Sequence, residues 1–178
     1  VEFDHALIND LEYRTPKLIA QLITTNLNEH SLGRVLDLGC GTGLNGVEIS
    51  RFCEYLEGID LSKRMLEKAR ERNVYDKLSR RDISNYLATE ELKFDCFVCT
   101  DVFIYVGDLS EVFQLLKVRN KLSGKLAFST EHNENQDFCL EQSGRYSHSK
   151  EYIEDLCKKF KFKLSYFEKY VLRKENNL

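Results

Sequence analysis

The stretch Arg34–Gly46 reads RVLDLGCGTGLNG and decides the fold of this chain. After Arg34, the apolar residues Val35, Leu36 and Leu38 surround one acid, and the stretch then breaks into glycines at positions 39, 41 and 43. An apolar run that ends in closely spaced glycines predicts a buried strand followed by a tight turn. Helical spacing over 44–53 predicts that the turn opens a helix, whose first N–H groups face whatever lies over the loop.

The acid in this strand, Asp37, narrows the choice of ligand. A buried acid is costly unless it has hydrogen-bond or charged partners, so we expect a ligand that offers donors, such as an amino group. Gly41, Gly43 and Gly46 also satisfy GxGxxG, the dinucleotide fingerprint whose loop holds a pyrophosphate. Because an acid beside the loop would repel phosphates, Asp37 favours a cationic or zwitterionic ligand over a dinucleotide.

The segment Asp37–Gly43 resembles the first motif, D/E-x-G-x-G-x-G, of the class I S-adenosylmethionine-dependent methyltransferases. The resemblance runs from about Tyr13 to Lys174. It implies an α/β, doubly wound, Rossmann-like fold with a mostly parallel sheet. It also implies S-adenosylmethionine as the cofactor and S-adenosylhomocysteine as the product. The motif residues that it implies as cofactor contacts are Asp37, Gly39, Cys40, Gly41 and Gly43.

Within this superfamily the chain is most similar to bacterial predicted methyltransferases that are often fused to tetratricopeptide repeats. The similarity rests on Tyr13-Arg14 before Pro16, on Asp101-Val102-Phe103 and on Ser143-Gly144-Arg145-Tyr146. It implies a lid in which Arg14 meets the ligand carboxylate and Tyr13 covers the methyl-donor end. A surface pair without a ligand is the alternative.

The length and net charge of the chain limit its domain number and the kinds of partner that it can bind. A chain of 178 residues fits one domain, with a lid and helix region at 1–30 and a cofactor-binding core and acceptor loop at 31–178. With 26 Lys+Arg against 29 Asp+Glu, no strong basic field favours nucleic acid. A small-molecule substrate is therefore predicted, with a protein substrate as the alternative. No signal peptide or long apolar span is evident, which predicts a cytoplasmic protein without a membrane partner.

Six cysteines raise the question of metal or redox chemistry. Cys96 and Cys99 form a CxxC, a spacing that zinc and redox sites use. The pair lies in the strand-like run FDCFVCTD without a second CxxC. We therefore predict packed, reduced thiols and no metal site.

Asp60 ends the second predicted strand, Tyr55–Ile59. It follows Asp37 by one strand–turn–helix–strand unit, which brings an acid to the carboxyl edge of the sheet where a nucleoside ribose binds. Both ribose hydroxyls can donate to one carboxylate, so Asp60 is predicted to bind the ribose. The alternative is that Asp60 caps the next helix together with Ser62.

Four residues are predicted to surround the adenine. Leu61 and Met65 supply apolar contacts, although Met65 also suits the core of its own helix. Asp82 follows the third strand and can accept the exocyclic amine, while Ile83 offers a backbone N–H to a ring nitrogen. Free solvation of Asp82 at a helix start is the alternative.

The fourth predicted strand, Phe94–Thr100, is nearly continuous in apolar character and should be buried on both faces. Its carboxyl end borders the ligand crevice of a doubly wound sheet. Thr100, Asp101 and Val102 are therefore predicted to contact the cofactor. Asp101 could bind the methionine amino group or act on the substrate, and the sequence does not separate these roles.

No residue can be assigned as the catalyst, but three are candidates. His148 lies in a predicted loop before the helix that Ser149 caps, and histidine titrates near neutrality as a general base should. A structural role is the alternative for His148. Asp101 is the second candidate. Tyr105 is the third, either lining the acceptor pocket or packing in the core.

The end of the chain departs from the family pattern. Imperfect alternation over Phe162–Leu172 predicts a sixth strand, after which the family pattern usually has a seventh, antiparallel strand. Either the sequence is truncated before that strand or the edge of the sheet is completed differently. Two other functional classes stay open: an NAD-binding Rossmann protein, and a regulatory module that binds S-adenosylmethionine or S-adenosylhomocysteine without turnover.

Overall fold

Five strands form one parallel sheet in the computed structural model, which describes residues 14–27, 31–120, 122–134 and 137–170. The strands are β1 Gly33–Leu38, β2 Cys53–Asp60, β3 Lys77–Arg80, β4 Cys96–Cys99 and β5 Lys125–Phe128. Their order is β3-β2-β1-β4-β5, and all four pairings are parallel. The order reverses between β1 and β4, which makes their carboxyl ends the switch point where doubly wound folds bind ligands.

Helices cover both faces of this sheet. The described residues contain α1 Thr15–Leu27, α2 Leu44–Ile49, α3 Lys63–Glu71, α4 Ile83–Thr89, α5 Ser110–Arg119 and α6 Lys150–Phe160. Apolar side chains of α1 and α2 pack on one face, and those of α4, α5 and α6 pack on the other. This arrangement confirms the predicted doubly wound α/β fold. In the described part of the chain, no helix has the length and apolar character needed to span a membrane.

Two predicted boundaries differ from the structure, at the end of helix α2 and at strand β4. Helix α2 ends at Ile49 and is followed by a 3-10 turn, Ser50–Phe52, because Cys53 already pairs with Gly33 of β1. Strand β4 is shorter than predicted but is buried throughout. Both of its cysteines are free, buried thiols, as predicted from their apolar surroundings.

A second, small sheet replaces a predicted loop. Strands β6 Glu131–His132, β7 Phe138–Leu140 and β8 Tyr146–His148 form it in the order β6-β8-β7. The prediction that His148 lies in a loop was therefore wrong, because His148 pairs with His132 of β6 and Phe138 of β7. Strands of two or three residues are too short to carry a readable period-2 pattern.

The predicted sixth strand, Phe162–Leu172, is wrong for residues 162–170, which form no strand, and positions 171–172 lie outside the described residues. Lys161 has a φ of 56° and ends α6, and Phe162 then donates its N–H to the carbonyl of Cys157. Phe162 and Leu164 pack against the core, but residues 165–170 are exposed. Alternation without a sheet edge to pair with is not enough to form a strand.

Candidate cofactor-binding site

The carboxyl ends of β1, β2 and β4 bring three predicted ligand-binding segments to one edge of the sheet. Residues 39–43, here called the glycine loop, follow β1; Asp60 ends β2; and residues 100–102 follow β4. Because β1 lies between β2 and β4, the glycine loop occupies the centre of this edge.

The backbone of the glycine loop requires glycine. Gly39, Gly41 and Gly43 have φ values of 71°, 54° and 85°, in the left-handed region that L side chains rarely adopt. A Cβ at Gly39 would lie 2.4 Å from Cγ2 of Val102, so Gly39 lets the loop pack against the end of β4. A Cβ at Gly41 would meet no atom within 4 Å. The loop therefore faces open space at Gly41, where a ligand can approach the main chain closely.

Cys40 offers little to that space. Its side chain is buried, and its backbone N–H donates to the carbonyl of Ile59 at 2.9 Å. Burial raises the pKa of the thiol, which therefore stays protonated. The predicted contact of Cys40 with a cofactor can involve neither its thiolate nor its N–H.

Asp60 ties the glycine loop to the end of β2. Its Oδ2 accepts a hydrogen bond from the Gly41 N–H at 2.9 Å, and its Oδ1 accepts from the Ser62 N–H at 2.7 Å. Ser62 is the N-cap of α3, since its Oγ accepts from the Met65 N–H. The capping alternative is therefore correct for Ser62, which caps the helix. The half-buried Asp60 instead accepts a hydrogen bond from the glycine loop.

Asp37 does not face the ligand space, which corrects the prediction of a direct contact. Its exposed fraction is 0%. Its Oδ2 accepts from the Tyr75 hydroxyl at 2.7 Å, and its Oδ1 accepts from Nδ2 of Asn45 at 3.3 Å. The reasoning that a buried acid needs donors was correct, but the donors come from the protein. Burial raises the pKa of Asp37 to about 6, although both hydrogen bonds act to lower it.

Tyr75 and Asn45 are site residues that were not predicted from the sequence. Asn45 also donates to Oγ1 of Thr100 at 2.5 Å, so it links β1, α2 and the end of β4. Thr100 is buried and accepts the Asn45 hydrogen bond in this network, which differs from its predicted role as a cofactor contact. The only sign of these two residues in the sequence was Asp37, because a buried acid requires hydrogen-bond donors nearby.

Asp101 has an unusual backbone at the end of β4. Its φ is 55°, an uncommon value for a residue other than glycine. The hydroxyl of Ser129 accepts from the Asp101 N–H at 2.9 Å and donates to Oδ1 at 2.7 Å. This pair of bonds fixes the direction of a half-exposed carboxylate on the same edge as the glycine loop. Such strained positions are frequent at binding sites.

The residues predicted around the adenine lie at the ends of β2 and β3. Leu61 is 64% exposed and Met65 is partly exposed, so both present apolar surface beside Asp60. Asp82 is the N-cap of α4, with its Oδ1 accepting from the Asn85 N–H at 2.9 Å. Ile83 is the first residue of that helix, where N–H groups have no helical acceptor. The cap occupies one oxygen of Asp82, and its role toward adenine stays a prediction.

The predicted lid is only partly described. Arg14 is exposed and immediately precedes α1, to whose first turn its carbonyl contributes by accepting from the Leu18 N–H. Tyr13 lies outside the described residues. The roles of both residues over a ligand therefore remain predictions.

Comparison with known proteins decides the family. Residues 29–174 match the family model described as a methyltransferase domain. The chain belongs to this family. The narrower similarity to methyltransferases fused to tetratricopeptide repeats stays a prediction.

Solved structures share the fold of this methyltransferase domain at low sequence identity. An S-adenosylmethionine-dependent methyltransferase from Clostridium acetobutylicum is 20% identical, with a TM-score of 0.65 over 89% of this chain and 86% of that one. A DhpI complex with S-adenosylhomocysteine is 17% identical, with a TM-score of 0.67 over 89% of this chain and 80% of that one.

Curated relatives match a shorter part of the methyltransferase domain. A ubiquinone biosynthesis O-methyltransferase from Actinobacillus pleuropneumoniae is 31% identical over 105 residues, 54% of this chain and 45% of that protein. An uncharacterized methyltransferase from Schizosaccharomyces pombe is 30% identical over 106 residues, 52% of this chain and 36% of that protein. The chain spans less than half the length of these relatives.

Two of the catalytic candidates, Tyr105 and His148, differ in their exposure to solvent. Tyr105 is 67% exposed in a 3-10 turn, Phe103–Tyr105, after β4, so the core-packing alternative is wrong. His148 is 1% exposed in β8. Its Nε2 contacts the Gly107 carbonyl at 2.8 Å, and its Nδ1 contacts Oγ1 of Thr130 at 2.6 Å. With both ring nitrogens occupied, His148 is not positioned as a general base, and its structural alternative is favoured.

The burial of His148 predicts a dependence of stability on pH. Burial lowers its pKa from the ordinary 6.5, so the unfolded chain takes up a proton that the folded chain resists. The contribution of His148 to the unfolding free energy is therefore expected to fall as the pH drops below 6.5. Urea unfolding of the wild type and of His148→Gln between pH 5 and pH 8 measures this. The variant should lose part of the acid-side decline, and an unchanged slope would contradict a buried, neutral histidine.

Proposed function

We propose that this chain is an S-adenosylmethionine-dependent methyltransferase domain that acts on a small-molecule acceptor. The observation that carries the proposal is the open space over Gly41, where a Cβ would meet no atom within 4 Å. Asp60 flanks this space and uses two of its acceptor positions on backbone N–H groups. An ionised carboxylate has about four such positions, so Asp60 retains capacity for the two hydroxyls of a ribose. The residues present therefore fit an adenosyl cofactor.

The other cofactor contacts follow from the placement of the residues. Asp101, oriented by Ser129, is proposed to bind the methionine amino group in place of the buried Asp37. Arg14 is proposed to meet the ligand carboxylate, because a guanidinium fork matches carboxylate geometry. The cofactor, when bound, supplies an electrophilic methyl group through its sulfonium. The protein residues then act by holding the acceptor in line with that methyl group and excluding water.

A small molecule with a hydroxyl group is the first acceptor class to test. Several curated relatives are named ubiquinone biosynthesis O-methyltransferases. The exposed ring of Tyr105 follows β4 on the same edge as Asp101 and would line an acceptor pocket there. A protein acceptor is the alternative and is an outcome of the experiment below.

The GxGxxG match no longer favours the dinucleotide alternative, because Gly46 has another explanation. Gly46, the last glycine of the GxGxxG match, is required by a neighbouring side chain: a Cβ there would lie 2.5 Å from Cζ of Tyr75. Its presence needs no pyrophosphate to explain it. The buried carboxylate of Asp37 also stays beside the loop, where phosphates would be repelled.

Calorimetric titration with S-adenosylhomocysteine, and separately with NAD, tests the cofactor. We expect one site per chain for S-adenosylhomocysteine and no measurable binding of NAD. Binding of NAD without S-adenosylhomocysteine would overturn the proposal. Methyl-labelled S-adenosylmethionine incubated with a phenol library and with cell extract then tests turnover. Label in the small-molecule filtrate supports the proposed acceptor class, label in protein favours the alternative, and binding without label transfer favours a regulatory module.

A further inference from the structure

Gly43, at the end of the glycine loop, and two glycines beyond the loop, Gly46 and Gly58, make room for one aromatic ring. A Cβ at Gly43 would lie 3.1 Å from Cε2 of Tyr75, one at Gly46 would lie 2.5 Å from Cζ, and one at Gly58 would lie 2.9 Å from Cε1. Real Cβ atoms are essentially never found closer than 3.0 Å. The glycines at 46 and 58 are therefore needed for the position of Tyr75, which lies between α2 and β2.

The hydroxyl of Tyr75 joins the two sides of the glycine loop. It donates to Oδ2 of Asp37 at 2.7 Å and accepts from the Gly46 N–H at 3.2 Å. Asp37 lies two residues before the glycine loop, and Gly46 lies three residues after it. One hydroxyl thus fixes the distance between the end of β1 and the first turn of α2. The intervening residues include Gly41, over which the cofactor is proposed to lie.

The charge of Asp37 increases the importance of this bond. The carboxylate has no solvent exposure, and its described donors are the Tyr75 hydroxyl and Asn45. The negative charge of Asp60 raises the pKa of Asp37. In turn, the charge of Asp37 raises the pKa of Tyr75 and of the thiols of Cys40, Cys53 and Cys99. Burial raises the pKa of Tyr75, so the hydroxyl keeps its proton and remains a donor.

We propose that Tyr75 is a positioning residue for the cofactor: its hydroxyl holds both sides of the glycine loop so that Gly41 and Asp60 keep the spacing that binding requires. This inference rests on the proposed function. Tyr75 acts through Asp37 and Gly46, and it touches neither the cofactor nor the reacting atoms.

Tyr75→Phe tests the role because it keeps the ring in its slot and removes the hydroxyl. The matched control is Tyr86→Phe. Tyr86 also donates to a buried carboxylate, Oε1 of Glu57 at 2.8 Å, but it packs on the opposite face of the sheet. Both variants should lose similar unfolding free energy. By calorimetry, Tyr75→Phe is expected to weaken the binding of S-adenosylhomocysteine about five- to tenfold, which is about 1–1.4 kcal/mol. Tyr86→Phe should weaken it less than about twofold.

A pH profile provides a second readout. Burial raises the pKa of Asp37 to about 6, and the Tyr75 bond lowers it. Asp37 therefore makes the unfolding free energy decrease as the pH rises from about 4 to about 6. In Tyr75→Phe this decrease should extend above pH 6, because the bond that lowers the pKa of Asp37 is lost. In Tyr86→Phe the decrease should cover the same pH range as in the wild type.

The outcomes distinguish this inference from the proposed function. A wild-type chain that binds no S-adenosylhomocysteine overturns the proposed function and the inference with it. A wild type that binds, together with a Tyr75→Phe variant of equal affinity, overturns the inference alone. Two further outcomes would show that Tyr75 contributes only to general stability. One is an equal loss of affinity in Tyr75→Phe and Tyr86→Phe. The other is a decrease in unfolding free energy that covers the same pH range in Tyr75→Phe as in the wild type.

Discussion

Asp60→Ala is expected to weaken the binding of S-adenosylhomocysteine at least tenfold, and up to about a hundredfold. The substitution removes the proposed ribose contacts and also the acceptor of the Gly41 N–H at 2.9 Å. Hydrogen bonds to charged groups contribute about 1.5–3 kcal/mol each, and about 1.4 kcal/mol corresponds to a factor of ten in affinity. Isothermal titration calorimetry at pH 7.5 measures the change directly.

A control must separate this effect from a general loss of stability. Asp95 also accepts from a backbone N–H, that of Arg34 at 2.8 Å, but at the amino edge of the sheet. Asp95→Ala should therefore lower the unfolding free energy and leave the affinity within twofold of the wild type. Wild-type affinity in a folded Asp60→Ala variant would contradict the ribose assignment.

Gly41→Ala is expected to reduce the affinity for S-adenosylhomocysteine by a similar factor, while its loss of stability should come from the backbone conformation alone. Its Cβ would meet no protein atom within 4 Å, so it would enter the space proposed for the cofactor. The left-handed φ of 54° adds a cost of about 1–2 kcal/mol for an L side chain. Calorimetry gives the affinity, and urea unfolding gives the stability.

Gly144→Ala is the matched control for this prediction. Gly144 has a φ of 77°, and a Cβ there would also meet no atom within 4 Å, but it lies in the turn between β7 and β8. Both variants should lose a similar unfolding free energy, and only Gly41→Ala should lose affinity. If Gly41→Ala binds as tightly as Gly144→Ala, the space over Gly41 is not the cofactor space.

Much of the fold could be predicted from short patterns in the sequence. The apolar run before the glycines identified β1, and parallel topology implied that Asp60 and Asp101 would reach the same edge as the loop. These predictions succeeded because each depends on local periodicity together with a general rule of connection. The same rules do not describe the small sheet, whose strands are two or three residues long.

The buried side of the site could not be predicted in the same way. The shorter of the two described hydrogen bonds to Asp37 comes from Tyr75, which is 38 positions away and follows a helix whose exposed face is charged. No local pattern marks that tyrosine, and three distant glycines define its slot. His148 was similarly misleading, because its burial depends on pairing between β7 and β8. The sequence therefore indicated which groups needed partners but not which partners they would find.

A crystal structure of the chain with S-adenosylhomocysteine tests the central claim most directly. We predict that the ribose hydroxyls lie about 2.6–3.2 Å from the carboxylate oxygens of Asp60, with the ligand crossing the face of Gly41 and Asp37 still covered by Tyr75. A ligand bound at another edge of the sheet, or one that leaves the space over Gly41 empty, would contradict the account.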